Sequence, residues 1–176
     1  MKLVDIKIEE LTGESFKPYG EIIDVPHTKP DFSNDELDLW CGIDEVKIDK
    51  GVSQFCWLNV KSRRPFLCNN LECHINTSEA MIPVSGQSVV IAALPDNNSV
   101  SSNLPDIKSI KAFFVDGSKG FNFKPKVWHW LPYPLSTKAS FILLFWGNRS
   151  DCKRRDSGCR KTSVWWSRCH YVLQRA

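Results

Sequence analysis

Short apolar runs of strand length recur along this chain at regular spacing, with turn residues between them and almost no helical periodicity. Residues 3–8 alternate apolar and polar side chains, the period of a half-buried strand. Residues 37–43 and 52–60 are aromatic and β-branched, which also favours strands. Residues 88–94 are continuously apolar, as expected of a strand covered on both faces. Residues 110–115, the Trp-His-Trp run at 128–130 and residues 140–146 complete the set, with a tight turn at Asp116-Gly117 and a break at Pro132 and Pro134. One helical turn is expected after Thr12, holding Phe16 and ended by Pro18 and Gly20. Residues 26–36, polar with two prolines, read as a surface loop that carries His27. This pattern predicts an all-β sandwich or barrel.

A chain of 176 residues is enough for one domain with a sizeable core. Charge divides it. Residues 1–146 hold 15 Lys and Arg against 18 Asp and Glu, a balance of −3, whereas residues 147–176 hold 8 against 2, or +6. Nothing in the mildly acidic body suggests a nucleic-acid surface, and no apolar run is long enough to span a bilayer. Seven cysteines without framework spacing, behind an acidic start unlike a secretory signal, favour reduced thiols in the cytoplasm. The expected division is a β-domain over 1–146 and a basic tail over 147–176, poorly ordered or loosely docked. Cys152, Cys159, Cys169 and His170 in that tail lack the paired spacing of a zinc site.

Chemistry concentrates in residues 71–86, where Glu72, His74, Glu79 and Gly86 follow the spacing E-x-H-x4-E-x6-G. Alternate strand residues share a face, so Glu72 and His74 point one way and Leu71, Cys73 and Ile75 the other. A turn rich in Asn, Thr and Ser then brings Glu79 back towards that pair. His129 lies in another strand-like run, with Trp128 and Trp130 facing away from it. Two carboxylates and two imidazoles can bind one divalent metal ion, or move protons without one. Arg63 and Arg64, a basic pair at a strand end, suit a bidentate clamp on a carboxylate. No phosphate-cradling glycine loop and no Gly-x-Ser-x-Gly elbow is present.

Four pieces, in order, resemble the ureidoglycolate lyase family of cupins, also called ureidoglycolate hydrolases. They are residues 11–20 (LTGESFKPYG), 71–74 with 79–83 (LECH and EAMIP), 110–113 (IKAF), and Gly120 through the Trp-His-Trp run. The resemblance implies a double-stranded β-helix, the jelly-roll barrel of cupins, usually a homodimer. It implies a small-molecule substrate, ureidoglycolate, split into glyoxylate and urea in purine catabolism through allantoin degradation. Glu72, His74, Glu79 and His129 would then form the site, as catalytic groups or as metal ligands, with Arg64, Arg63 or Lys126 holding the substrate carboxylate. Three departures stand out: Cys73 where relatives carry Arg, Lys126 where the second cupin motif usually has Gly, and a tail unlike the family's acidic ending. The same barrel also serves other metal-dependent enzymes and non-catalytic binding modules.

Overall fold

The computed structural model describes residues 2–48, 52–61, 65–68, 70–96, 104–146, 159–162 and 169–174. In chain order the elements are β1 (Lys2–Glu10), helix α1 (Gly13–Phe16), β2 (Gly20–Ile23), β3 (Phe32–Ser33), β4 (Asp38–Leu39) and β5 (Ser53–Val60). Next come β6 (Leu67–Cys68), β7 (Leu71–His74), β8 (Glu79–Ser85), β9 (Ser88–Ala93) and a 3-10 turn (Ile107–Ser109). They are followed by β10 (Lys111–Val115), β11 (Gly120–Phe123), β12 (Trp128–His129), β13 (Tyr133–Pro134), β14 (Ala139–Trp146), β15 (Cys159–Thr162) and β16 (Cys169–Gln174). The fold is all-β, with one short helix and one 3-10 turn among the described residues.

A nine-stranded sheet runs β15-β7-β12-β9-β10-β1-β16-β6, with β13 also on β9, and faces a five-stranded sheet, β2-β11-β8-β14-β5. The main core lies between them, built from Met81, Phe121, Phe123, Phe141 and Leu143 of the smaller sheet and Val90, Ala92, Phe113 and Val115 of the larger. Strand alternation sends the intervening residues of the larger sheet, Val89, Ile91, Ala93 and Ala112, to its other face. There they join Leu71, Cys73, Trp128 and Tyr133 in a second core. Every residue of β9 is therefore buried, as its unbroken apolar sequence requires. The Tyr133 hydroxyl donates to the Leu67 carbonyl at 3.1 Å and fastens the segment leading into β7 over this second core.

Two local devices set the entry to the main core. Thr12 caps α1 reciprocally: its hydroxyl accepts from Ser15 N–H and Ser15 Oγ accepts from Thr12 N–H, each at 3.1 Å. This turn delivers Phe16 into the core, edge-on to Phe113 and Phe121. Gly86 joins β8 to β9 at φ +78°, and a Cβ there would lie 2.5 Å from the Lys138 carbonyl oxygen, so only glycine fits.

One strand came out shorter than its composition suggests. Of residues 37–43 only β4 is extended, pairing with β3 in a small hairpin. Beyond it the Asp31 carboxylate accepts the Cys41 N–H at 2.8 Å and the Trp40 indole donates to the Thr28 carbonyl at 2.9 Å. These bonds tie the chain to its own loop rather than to a sheet. The expected loose docking of residues 147–176 falls largely outside the described residues. Within it, β15 pairs antiparallel with β7 and β16 pairs parallel with β1.

Candidate active site

The pairing of β12 with β7 sets His129 opposite Glu72 and Trp128 opposite Cys73. Because Trp128 and Cys73 enter the second core, their neighbours Glu72, His74 and His129 all face the smaller sheet. Glu79, the first residue of β8, reaches them from that sheet, where it stands opposite Phe123 of β11. The expected cluster of four is thus assembled, from both sheets, at one end of the main core.

One carboxylate oxygen organises it. Glu79 Oε2 lies 2.8 Å from His74 Nε2 and 2.9 Å from His129 Nε2. The rings of the two histidines are 5.3 Å apart. His129 Nδ1 lies 3.0 Å from the Val127 carbonyl oxygen. A carbonyl only accepts, so Nδ1 donates its hydrogen there, and Nε2 must carry a hydrogen as well whenever it donates to the ionised Glu79 carboxylate. Phe123 lies flat against the same imidazole, centroids 4.4 Å apart and planes 9° from parallel. The alternation of residues 120–123 puts Phe121 and Phe123 on the core face, but nothing in the sequence marks Phe123 as the support of His129.

Electrostatics separate the groups. Burial alone would push the Glu79 carboxyl up, but hydrogen bonds from His129 and His74, with their charges, outweigh it and hold Glu79 well below the usual carboxylate range. For His74 burial works against the charged form. The hydrogen bond to Glu79 and the charges of Glu79 and Glu72 prevail, so its pKa is raised. The side chain of His74 is 15% exposed and that of His129 only 2%, which makes His74 the imidazole a ligand can reach.

Lys126 is exposed and sits at φ 71°, the left-handed conformation that glycine adopts without strain. The glycine-type turn therefore survives the substitution. Its N–H donates to the His74 carbonyl at 2.6 Å, joining the turn before β12 to the end of β7. Cys73 is buried on the far side of the sheet, so a side chain there cannot enter this site from the observed backbone. Arg63 and Arg64 lie outside the described residues. His27 is exposed in its loop.

A divalent cation fits the donor set. Glu72, His74 and His129 each offer one ligand atom, all within 4.8 Å of one another. Two nitrogens and a carboxylate suit borderline ions such as zinc, iron or manganese.

The ureidoglycolate lyase family model matches residues 3–164, nearly the whole chain. This protein belongs to that family. The ureidoglycolate lyase of Escherichia coli (strain K12) is 26% identical over 153 residues, 84% of this chain and 91% of that one. The ureidoglycolate lyase of Salmonella newport (strain SL254) is 25% identical over the same shares. Among solved structures, RmlC from Streptococcus suis in complex with dTDP-D-xylose aligns with a TM-score of 0.41 at 12% identity. It covers 56% of this chain and 47% of that one, a likeness too slight to argue from. The family match runs past residue 146 and includes β15, which lies beside Leu71–His74 in the sheet.

Proposed function

We propose that the protein is a ureidoglycolate lyase, cleaving ureidoglycolate to glyoxylate and urea at the His74–Glu79–His129 cluster. The observation that carries this reading is two imidazoles sharing one buried carboxylate oxygen between the sheets of a ureidoglycolate lyase family member. The reaction is collapse of a carbinol that bears nitrogen. The hydroxyl proton leaves, the C–O bond becomes the aldehyde carbonyl, the C–N electron pair goes to the urea nitrogen, and that nitrogen takes up a proton. Glu79 stays ionised and holds both rings in place. His74, the more accessible imidazole, gives the proton to the departing nitrogen, and Glu72 on the same face accepts the hydroxyl proton. His129, locked between Val127, Glu79 and Phe123, fixes the position of Glu79. Lys126, on the turn beside β12, is the cation among the described candidates for the substrate carboxylate. Arg63 and Arg64 remain in the proposal on their sequence position.

A divalent metal held by Glu72, His74 and His129 is the second reading, favoured by the approach of their ligand atoms. Held there, such an ion would supply Lewis-acid polarisation of the substrate oxygens. It would have to compete with Glu79 for Nε2 of both imidazoles, or take Glu79 as a further ligand. The protein is further proposed to act in the cytoplasm as a homodimer on a small-molecule substrate, without nucleic acid or membrane. No helix among the described residues is long and apolar enough to cross a membrane.

The test follows glyoxylate release from ureidoglycolate by the full chain, before and after chelation and with divalent metals restored. General acid–base groups contribute about 10²–10⁴-fold, so His74→Ala should lower turnover by at least about 100-fold with the fold retained. Turnover that chelation abolishes moves the reading to the metal-assisted form. Absence of glyoxylate under every metal would point to another cupin chemistry at the same cluster.

A further inference from the structure

The turn between β7 and β8 joins two members of the cluster. Residues 75–78 (INTS) bring the chain from His74 back to Glu79, so that Glu79 Oε2 stops 2.8 Å from His74 Nε2. Slack in so short a turn would appear directly in that distance. The sheet holds Glu79 only in part. It pairs with Phe123 of β11, but the ladder between β8 and β14 ends at Ala80, one residue later. Ahead of it, Thr77 and Ser78 belong to neither β7 nor β8.

Further support comes from residues 44–48, which lie outside the named strands. Ile48 pairs with Thr77 in an isolated antiparallel bridge. Ser78 holds residue 47 twice: its N–H donates to the Lys47 carbonyl at 3.0 Å, and its Oγ accepts the Lys47 N–H at 2.9 Å. The Ser78 carbonyl accepts from the Thr77 hydroxyl at 2.8 Å. Main chain and side chain of this buried serine are therefore both fixed. At the other end of the segment, the Asn122 amide donates to the Asp44 carboxylate at 2.7 Å and to the Glu45 carbonyl at 3.3 Å. The first of these is charge-assisted, and Asn122 is buried. Asn122 precedes Phe123, the ring stacked on His129, just as Ser78 precedes Glu79. The segment thus ties together the two residues that lead into the Glu79–Phe123 pair.

We propose that residues 44–48 are a positioning strap for the Glu79 carboxylate, and that Ser78 is the positioning residue through which it acts. One oxygen of Glu79 serves two imidazoles, so a small displacement weakens both contacts together. Preorganised groups need to stay within about 0.5 Å of the productive geometry. The strap fixes the main chain immediately before Glu79, where the β14 ladder no longer reaches. The inference rests on Glu79 organising the two imidazoles in the proposed reaction, and it adds no group that touches substrate.

The experiment compares the full chain as wild type, Ser78→Ala, Ser78→Thr, Asp44→Ala and the Ser78→Ala, Asp44→Ala double variant, with circular dichroism confirming each fold. Two quantities are read: kcat and KM for glyoxylate release from ureidoglycolate, and the downfield imidazole N–H proton resonances, which report the bonds to Glu79 without turnover. Ser78→Ala should lower kcat at least about tenfold with KM within about twofold, and should shift the imidazole signals. Ser78→Thr keeps the accepting hydroxyl and should stay within about threefold of wild type. Asp44→Ala removes a carboxylate that bonds Asn122 rather than the cluster, yet should act in the same direction. The double variant should be no worse than Ser78→Ala, because one strap transmits both effects. Asp44 is only half-buried, so its removal keeps the answer readable if Ser78→Ala fails to fold. A wild-type chain that releases no glyoxylate overturns the reaction reading, and the imidazole signals then judge the strap: shifted in the variants they support it, unmoved they overturn it. With an active wild type, unchanged kcat and imidazole signals in the variants, or a loss confined to KM, overturn the proposal.

Discussion

Glu79 and His129 meet across the two sheets, Oε2 to Nε2 at 2.9 Å, although 50 residues separate them in the chain. Neither is on a loop. Glu79 opens β8 and His129 closes β12, so the contact is as rigid as the core behind it. Placing both partners on strands fixes the proton-handling geometry before any ligand arrives, which is the form of preorganisation that acid–base chemistry uses.

The depressed pKa of Glu79 has a consequence for stability. In the unfolded chain this carboxyl titrates near about 4.3, whereas in the fold it stays ionised to lower pH. Its contribution is therefore complete above about pH 5 and is lost as pH falls through the unfolded value towards the folded one, at up to about 1.4 kcal/mol per pH unit. Glu79→Gln should lower the melting temperature at pH 7 and flatten its fall between about pH 5 and pH 3. Melting curves of both proteins across that range check it. An identical acid slope in the variant would mean that Glu79 is not ionised in the fold.

Phe123 supports His129 through its stacked ring and is itself buried. Phe123→Leu keeps most of the volume and should cost about 1–2 kcal/mol of stability. It removes the flat surface that orients the imidazole, so kcat should fall by about tenfold with KM nearly unchanged. A rise in KM at constant kcat would instead make Phe123 part of the substrate-binding wall.

Much of this site was legible beforehand. Period-two alternation put Glu72 and His74 on one face and Leu71 and Cys73 on the other, and the same rule turned Trp128 away from His129. Both hold in the structure. What alternation leaves open is which strands become neighbours. The β7–β12 and β8–β11 pairings are long-range, and they alone decide that Glu79 bridges the two histidines and that Phe123 lies beneath one of them. The short β4 was missed because propensity describes a residue's liking for a pleated surface, not whether a partner strand arrives.

Cys73 illustrates that limit. The sequence resemblance leads one to expect an Arg before the histidine, and so a cation at position 73 in the site. In the observed backbone the side chain at 73 enters the second core beside Leu71 and Trp128. Cys73→Arg should therefore fail to raise turnover and should destabilise the fold by several kcal/mol, since it buries a charge among apolar groups. Thermal melting together with the glyoxylate assay decides this. A stable variant with increased activity would show that the strand can turn this position towards the site.

The proposed homodimer has its expected interface on the outer face of β5. Phe55 is 80% exposed and Trp57 60%, and Val84 of β8 is also exposed on this sheet. β5 is the last strand of its sheet among the described residues, and an edge strand pairs with its own copy in antiparallel register about a twofold axis. A homodimer built on this face should dissociate in a Phe55→Ser, Trp57→Glu variant, read as a halved mass by sedimentation equilibrium. A variant that remains dimeric would place the interface elsewhere, and a monomeric wild type would remove the dimer.

Lys126 combines a strained backbone with a charge near the cluster, and one substitution separates the two. The left-handed conformation at φ 71° costs a non-glycine residue about 1 kcal/mol relative to glycine. Lys126→Gly keeps the N–H that donates to the His74 carbonyl and removes both the strain and the ammonium. The melting temperature should rise by about 2–4 °C for a chain of this size. If the ammonium holds the substrate carboxylate, KM should rise by about tenfold in the same variant, since charge-assisted hydrogen bonds contribute about 1.5–3 kcal/mol. Lys126→Ala serves as the control, losing the charge while keeping the strain, so it should share the KM effect without the gain in stability. A raised melting temperature with KM unchanged in both variants would assign Lys126 to the turn alone and move the carboxylate contact to Arg63 or Arg64.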